Sequence, residues 1–397
     1  MRTRCSTSTA RHRIGPLTTH IHHAGRSVAS DQERSNEMGK LSTGSRAVRL
    51  RWFALVALVS LFGAACGSGS GADEATEVAD ANGTVRMVMA PDPVWKWLES
   101  EGIKQEMEQQ AGMQVITSSS WDEFGVYAGG HADVISAATY EVPDLEEATG
   151  DPATIFGRYN GDRSVLAVGA NSPAQNLCDL EGKKIATYTA VSITLIWGMY
   201  AQKFCGTDLR AGGGDYELIV TDVQNLSSLV ARGDADACLC LPDFAIPDLM
   251  SGAVRPVYDG MSAAQMYAEH FAVDKAATTH PQTNVFVARK AWVEKNPEEA
   301  QFLIALWDRG ITKWQEHRDE IIAAYPEDFA VRSEEEAAFL RDWLDTRYDW
   351  FAPTAQLDQE WVAEETRLFD LMKETGFMDE DAPPTSFTIV ESGPIAS

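Results

Sequence analysis

Positive charge is scarce in this sequence, and its scarcity excludes one broad class of function. The 397 residues contain 33 Lys and Arg against 59 Asp and Glu, a formal net charge of −26 at pH 7. Proteins that bind nucleic acid need a basic surface to meet the phosphate backbone. We therefore expect no nucleic-acid partner.

The apolar run Trp52–Ala65 is too short to serve as a comfortable membrane span, since about 20 residues are needed. This run lies at the end of a basic segment. Residues 1–65 carry ten Lys and Arg against three Asp and Glu. A basic segment, a short apolar run and small residues before a cleavage point describe an export signal. We predict that residues 1–65 are an upstream extension and export signal outside the fold, with Met38 as a candidate start.

The end of this segment predicts how the exported protein is held. Gly63-Ala64-Ala65-Cys66 resembles the lipobox of bacterial lipoproteins, in which the cysteine becomes the lipidated first residue, although Gly63 replaces the usual aliphatic residue. An ordinary cleaved signal that contains a cysteine is the alternative. Residues 66–83 are rich in Gly, Ser and acidic residues and predict a flexible tether. We expect a protein on the outer face of the cytoplasmic membrane, attached through the lipid on Cys66 alone, or a periplasmic one.

Common catalytic motifs are also missing. The sequence has no G-x-S-x-G elbow, no H-E-x-x-H pair and no Walker loop. The histidines beyond the predicted tether are scattered, at His131, His270, His280 and His317. We therefore expect no catalytic residue, no cofactor and no metal site.

Strand-like runs alternate with helical patterns, which predicts βαβ units and mostly parallel sheets. The predicted strands are 85–90, 114–117 and 132–135, and then 183–187, 217–220 and 237–241; the predicted helices include 93–110, 121–128 and 191–204. The pattern A-x-G-x-A-D occurs at residues 128–133 and again at 231–236, each time before a strand. A repeat in the same order of elements predicts two similar lobes.

The predicted fold class is therefore α/β, with two similar α/β lobes joined by a two-crossing hinge. We assign residues 84–171 to the first part of lobe one, 172–262 to lobe two, 263–380 to the return to lobe one with carboxyl-terminal helices, and 381–397 to a tail. The runs 164–168 and 284–288 flank lobe two and mark the crossings. Aromatic residues at helical spacing after residue 300 predict helices that pack on lobe one as part of its core.

Three segments resemble a known family. They are Asp179–Ala186 (DLEGKKIA), Leu229–Ala237 (LVARGDADA) and Val287–Glu298 (VARKAWVEKNPE). They are similar to segments of the type II periplasmic binding proteins of ABC importers, in the branch for nitrate, sulfonate, taurine and pyrimidine precursors. The resemblance covers residues 84–377 and marks the fold better than the ligand.

In that family the ligand lies in a cleft between the lobes, at the carboxyl ends of the strands, where open parallel sheets generally bind ligands. The loops at these strand ends supply the candidate ligand-binding residues. In lobe one they are Asp92, Trp95, Ser119, Trp121, Ser136, Thr139 and Tyr140. In lobe two they are Tyr188, Thr189, Ser192, Asp222, Asp243 and Phe244. Asp92 and Asp222 fit the role of helix caps equally well.

The composition of these loops predicts the charge of the ligand. They contain four Asp (Asp122 is the fourth) and five aromatic residues, Lys96 only at their margin, and no Arg. Carboxylates and aromatic faces favour a neutral or cationic ring. Helices that begin near Pro93 and Val191 would point their amino termini into the cleft, so a small anion such as a sulfonate or nitrate is the alternative.

The resemblance implies a monomeric substrate-binding protein that delivers a small molecule to an ABC permease with its ATPase. A lipid-anchored ligand sensor is a second reading of the same fold. An enzyme like the eukaryotic hydroxymethylpyrimidine synthases is a third, although the sequence lacks their Cys-rich motif.

Four cysteines follow Cys66, an even number in a compartment that permits disulfides. Cys178 precedes its predicted strand and Cys205 follows the returning helix, which predicts a disulfide between them. Cys238 and Cys240 point to one side of one strand, roughly 6.5–7 Å apart. That spacing is too long for an unstrained bond, which favours buried thiols. A C-x-C pair with no His beside it is poor evidence for a metal site, and the sequence does not decide whether the two cysteines are paired or free.

Overall fold

The structure is a computed structural model that describes residues 83–275, 279–347 and 350–391. The predicted export signal, the lipidation site Cys66 and nearly all of the predicted tether lie outside these residues, and the end of the predicted tail does too. Among the described residues, no helix has both the length and the apolar character needed to cross a membrane.

Lobe one is built on a six-stranded mixed sheet in the order β2-β1-β3-β10-β4-β11. Three neighbouring strands are parallel, and β10 runs antiparallel to both of its neighbours. The strands are β1 (Thr84–Met89), β2 (Gln114–Ser119), β3 (Val134–Ala137), β4 (Ala153–Gly161), β10 (Gln282–Arg289) and β11 (Ser386–Phe387). Every residue of β3 and β4 is buried, so helices cover both faces of the sheet.

Lobe two repeats this arrangement on a five-stranded sheet in the order β7-β6-β8-β5-β9. Strands β6, β7 and β8 are parallel, and β5 runs antiparallel between β8 and β9. The strands are β5 (Val165–Gly169), β6 (Lys184–Thr187), β7 (Glu217–Val220), β8 (Ala237–Cys240) and β9 (Val254–Pro256). The prediction of two similar α/β lobes is confirmed.

The short sequence repeat has the same structural role in both lobes. Its final aspartate comes directly before β3 or β8 and accepts a backbone N–H from the neighbouring parallel strand. Asp133 Oδ2 accepts from the N–H of Arg86 at 2.9 Å, and Asp236 Oδ2 accepts from the N–H of Lys184 at 3.0 Å. The repeated motif therefore fixes the start of one strand against the next.

Twelve α-helices are described around the two sheets. The predicted helix 93–110 is two helices, because Gly102 adopts a left-handed φ of 72° between them. The helices are α1 (Pro93–Ser100), α2 (Ile103–Ala111), α3 (Glu123–Ala128), α4 (Val142–Thr149), α5 (Ile193–Tyr200), α6 (Leu226–Arg232), α7 (Ile246–Ser251), α8 (Ala263–His270), α9 (Lys290–Lys295), α10 (Pro297–Ala324), α11 (Glu334–Thr346) and α12 (Gln359–Glu374).

The carboxyl-terminal helices supply much of the lobe-one core, as the aromatic spacing predicts. Trp307 and Trp314 of α10 and Trp343 of α11 are all at most 7% exposed and belong to one core cluster. Helix α12 packs on both lobes, although the sequence predicts packing on lobe one alone. Its first turn places Trp361 in lobe one, whereas Leu368 and Met372 belong to the core of lobe two.

Three predicted boundaries require correction. Strand β5, predicted as part of lobe one, pairs with β8 and β9 in the sheet of lobe two. Helix α8, predicted to begin the return to lobe one, packs in the lobe-two core, and the predicted tail contributes β11 beside β4. The sequence could not show these memberships, because a strand or helix joins a lobe through partners that are far away along the chain.

The chain crosses between the lobes at the hinge between Gly161 and Val165 and again just before β10. Helix α12 and the chain that leads from it to β11 pass between the lobes a further time in each direction. Asp162 links the two hinge crossings, because its N–H donates to the carbonyl of Pro281 at 2.9 Å. Its buried carboxylate accepts hydrogen bonds from the hydroxyls of Tyr140 and Ser164. A fully buried carboxylate needs such partners, and these contacts supply them at the hinge.

Both cysteine pairs are disulfide-bonded. The predicted pair Cys178–Cys205 is bonded, with the Cα atoms 5.2 Å apart. The expectation of free thiols at Cys238 and Cys240 is wrong, because they also form a disulfide with a Cα separation of 5.2 Å. This separation is shorter than the roughly 6.5–7 Å of an extended strand, so the chain of β8 is contracted where the two cysteines meet.

Candidate ligand-binding cleft

A cavity of about 220 Å³ lies between the two lobes, at the carboxyl ends of β1, β3 and β8. From the predicted set, lobe one contributes Asp92, Trp121 and Ser136 to its lining. Lobe two contributes Tyr188, Thr189, Ser192, Asp243 and Phe244. The structure thus brings eight of the thirteen predicted side chains around one cavity.

The other five predicted residues lie outside the lining of the cavity. Trp95 stacks on Trp307 with ring centroids 5.5 Å apart. Thr139 and Tyr140 are fully buried near the hinge, while Ser119 and Asp222 are exposed at the ends of β2 and β7. Only some residues of each strand-end loop face the cleft, and the sequence does not show which ones do.

Aromatic side chains from both lobes meet across the mouth of the cavity. The ring of Trp121 in lobe one lies 6.0 Å, centroid to centroid, from the rings of both Tyr188 and Phe244 in lobe two. Both contacts are edge-on, and Trp121 remains 39% exposed. The three rings, which we call the aromatic clamp, line the cavity together and can contact an apolar body bound there.

Three carboxyl groups on the cavity wall have raised pKa values. Burial raises the pKa of Asp92 to about 6, against the lowering effect of hydrogen bonds from the N–H groups of Trp95 and Val94. Burial, with the nearby charges of Glu141 and Asp122, raises the pKa of Glu123 from 4.5 to about 8.

Glu141 is the third carboxyl group, and burial raises its pKa to about 7. The charges of Asp144 and Asp162 act in the same direction, while hydrogen bonds from the Ala138 N–H and the Ser192 hydroxyl act against them. Near neutral pH the cavity therefore holds carboxyl groups that are still partly protonated.

The cavity contains an arginine, which the sequence-based prediction missed. Arg163 lies in the first hinge crossing, and its guanidinium donates to both carboxylate oxygens of Asp243, at 2.9 and 3.1 Å. It also lies over the ring of Trp350, 4.4 Å from the centroid. The strand-end loops contain no Arg, as the sequence shows, but the hinge supplies a wall of the cavity that those loops do not include.

Hydroxyl groups provide further polar contacts. Ser136 bonds the Tyr159 hydroxyl at 2.6 Å and accepts from Asn284 Nδ2 at 2.8 Å. Across the cavity, the hydroxyls of Ser192 and Tyr188 lie 2.8 Å apart. Ser192 has a φ of 53°, a left-handed conformation that is uncommon for a non-glycine residue and is found at functional sites.

The cavity residues that the sequence-based prediction missed fall into two groups. Glu123 and Glu141 lie within two residues of the strand-end loops, so their place in the sequence next to those loops is a signal for the site. Arg163, Asn284 and Trp350 come from the hinge, from β10 and from the segment after α11. Only the folded chain brings this second group to the cavity. Among the described residues, no three His, Cys, Asp or Glu side chains are grouped so that they could hold a metal ion.

Comparisons with known proteins agree with this architecture. The structure resembles the periplasmic aliphatic sulphonate-binding protein SsuA from Escherichia coli, with a TM-score of 0.56 and 17% identity over 78% of this chain and 93% of that chain. A Bordetella bronchiseptica protein matches with a TM-score of 0.59 and 17% identity over 77% and 95% of the two chains. The periplasmic nitrate-binding protein NrtA from Synechocystis matches with a TM-score of 0.51 and 14% identity over 76% and 84%.

At these identities the solved structures show a shared fold, that of the periplasmic binding proteins. No individual curated protein matches the sequence. The profile of the NMT1/THI5-like family matches residues 99–321, which is more than half of the 397 residues. The family resemblance seen in the sequence is thereby confirmed, and this chain belongs to the NMT1/THI5-like family.

Proposed function

We propose that this protein is the extracytoplasmic substrate-binding lipoprotein of an ABC importer and captures a small organic molecule between its two lobes. The observation that carries the proposal is the aromatic clamp, in which one lobe supplies Trp121 and the other Tyr188 and Phe244. A ligand held by groups from both lobes favours the closed arrangement over the open one. A permease that recognises the closed form then receives only loaded protein.

The size and walls of the cavity support a small ligand with an aromatic or heterocyclic ring, neutral or cationic. A cavity of roughly 150 Å³ is enough to hold benzene, and this one measures about 220 Å³. The walls combine aromatic faces with a few hydroxyl and carboxyl groups, which is the usual composition of a small-molecule site.

A thermal-shift screen tests the proposal. The purified protein is heated with nitrogen heterocycles, small amines, and organic and inorganic anions, sulfonates and nitrate included. A ligand that binds only the folded state, at a hundredfold excess over its Kd, stabilises that state by about 2.7 kcal/mol. We expect such a shift with a ring or amine, and we expect it to be lost in Trp121→Ala/Tyr188→Ala.

Phe204→Ala is the matched control, because Phe204 is also 39% exposed but lies outside the clamp. It should keep the shift. A shift that survives in the clamp variant would contradict the proposed site, and the lack of a shift with any compound would contradict the proposed function.

A small anion is the second candidate ligand. Ser192 and Ile193 at the amino end of α5 line the cavity, and helix amino termini attract anions. At the amino end of α1, however, Asp92 Oδ1 already accepts the N–H groups of Val94 and Trp95. A shift with sulfonate or nitrate alone would select this candidate.

The anchor and the transport partner are tested in cells. Cys66→Ser should move the protein from the membrane fraction to the soluble exported fraction, because it removes the lipidated thiol. Cells without this protein should lose high-affinity uptake of the ligand found in the screen, and the wild-type gene should restore it. Unchanged uptake would favour a ligand sensor over a transport component.

A further inference from the structure

The charges around the cavity are strongly one-sided. Six carboxylate side chains line it, against the single guanidinium of Arg163 within the described lining. Two of the six are paired with basic groups, Asp243 with Arg163 and Asp328 with Lys96. Asp122 is exposed and accepts the N–H of Gly125 at the start of α3. Asp92, Glu123 and Glu141 remain, and none of them forms a salt bridge with a described residue.

Asp92 is one of the carboxyl groups without a salt bridge, and it faces the cavity. The side chain is 8% exposed and lines the cavity. Its Oδ1 accepts the N–H groups of Val94 and Trp95, at 2.8 and 3.0 Å. Oδ2 accepts no hydrogen bond within the described part of the chain. A donor on a ligand in the cavity can therefore bond to this oxygen.

Glu123 and Glu141 lie at the aromatic clamp. Both side chains line the cavity together with the three rings of the clamp. Glu141 accepts a hydrogen bond from the Ser192 hydroxyl, which lies 2.8 Å from the hydroxyl of Tyr188. A cationic nitrogen placed there would contact carboxylates and the faces of aromatic rings at the same time, and both kinds of group attract a cation.

We propose that the cleft selects a small organic cation, whose protonated nitrogen is held by Glu123 and Glu141 while its apolar body lies in the aromatic clamp. This rests on the proposed function and names its ligand class. Arg163 acts on Asp92, lowering its pKa against the effect of burial, whereas Glu123 and Glu141 form no salt bridge with a described residue. The cation supplies the positive charge at these two groups, and an anionic ligand in the same place would oppose their ionisation.

The raised pKa values of Glu123 and Glu141, about 8 and 7, give a second consequence. The neighbouring charges that raise these pKa values are Glu141 and Asp122 for Glu123, and Asp144 and Asp162 for Glu141. Burial acts in the same direction, backbone N–H donors and the Ser192 hydroxyl act against it, and Arg163 is the basic group in the described lining. Binding of the cation favours the ionised carboxylates and releases protons near neutral pH.

Isothermal titration calorimetry with three probes of nearly the same shape tests the charge preference. The probes are benzamidinium, benzamide and benzoate, which carry a positive, zero and negative charge on the same ring. We expect benzamidinium to bind at least about tenfold more tightly than benzamide, as expected for a hydrogen bond to a charged group, and benzoate to bind most weakly. Titration at pH 7 in two buffers with different ionisation enthalpies should show proton release with benzamidinium only.

Charge-neutralising variants assign the residues. Glu123→Gln and Glu141→Gln should each weaken benzamidinium binding about tenfold and leave benzamide binding unchanged. Glu294→Gln, at an exposed position on α9, is the matched control and should change neither.

Equal affinity for the three probes, a preference for benzoate, or an unchanged charge preference in both variants would overturn the assignment and leave the proposed function standing. No binding of any probe at millimolar concentration would contradict the proposed function as well.

Discussion

Replacing Glu123 by Gln should stabilise the ligand-free protein, although it weakens cation binding. The pKa of Glu123 is about 8 in the folded protein, against 4.5 as its ordinary value. Between these two pH values the folded state therefore binds more protons than the unfolded state. Under that condition the free energy of unfolding falls as pH rises from about 4.5 to about 8 and is level beyond it.

The magnitude follows from the size of this window. For each pH unit between the two pKa values, the free energy of unfolding falls by about 1.4 kcal/mol. The rise from 4.5 to pH 7 spans 2.5 units, so the raised pKa of Glu123 lowers the free energy of unfolding by at most about 3 kcal/mol at pH 7. Gln resembles the protonated carboxyl group and does not ionise. We expect Glu123→Gln to be more stable than the wild type by about 1–3 kcal/mol at pH 7 and by less than about 1 kcal/mol at pH 5.

Urea unfolding at pH 5 and pH 7 measures this difference. Glu294→Gln, on the exposed face of α9, should follow the wild type at both pH values. The reasoning is refuted if Glu123→Gln is no more stable than the wild type at pH 7, or if its advantage is the same at both pH values.

Three further predictions test other parts of the structure. Trp121→Ala should lower the affinity for the cleft ligand about tenfold and change the unfolding free energy by less than about 1 kcal/mol, because Trp121 is 39% exposed; unchanged affinity in calorimetry would contradict the clamp. Arg163→Ala should cost about 3–5 kcal/mol in urea unfolding, because it leaves the buried carboxylate of Asp243 unpaired; a loss below about 1 kcal/mol would contradict a structural ion pair. Replacing Cys178 and Cys205 together by Ser should cost about 3–4 kcal/mol, since that disulfide closes a loop with a sequence separation of 27; an unchanged unfolding midpoint would contradict it.

Much of the fold could be predicted from the sequence, because its signals are local. Alternating strand and helix patterns, the A-x-G-x-A-D repeat and the aromatic spacing of α10 all depend on neighbours within a few residues. Lobe membership of β5 and α8 depends on contacts made far along the chain, and those contacts leave no local pattern. The sequence does not reveal the break at Gly102 either, because a glycine within a helical pattern is compatible with continuation of the helix.

The sequence predicts the residues of the candidate site that lie in strand-end loops, and it does not predict the others. Trp121, Tyr188 and Phe244 lie in strand-end loops, and the structure places them around one cavity. Arg163 comes from the hinge, and Trp350 from a segment almost two hundred residues later in the chain, so only the folded structure brings them together. The sequence does not predict the Cys238–Cys240 disulfide, because ideal strand spacing separates the two cysteines too widely, whereas the chain there is contracted.

A crystal structure with the compound that gives the largest thermal shift would test the central claim most directly. We predict that the ligand occupies the cavity between the lobes, in contact with Trp121 of lobe one and with Tyr188 and Phe244 of lobe two. Its positively charged nitrogen should lie within hydrogen-bonding distance of Glu123 or Glu141. A ligand bound to one lobe only, or bound at another surface with the clamp empty, would contradict the account.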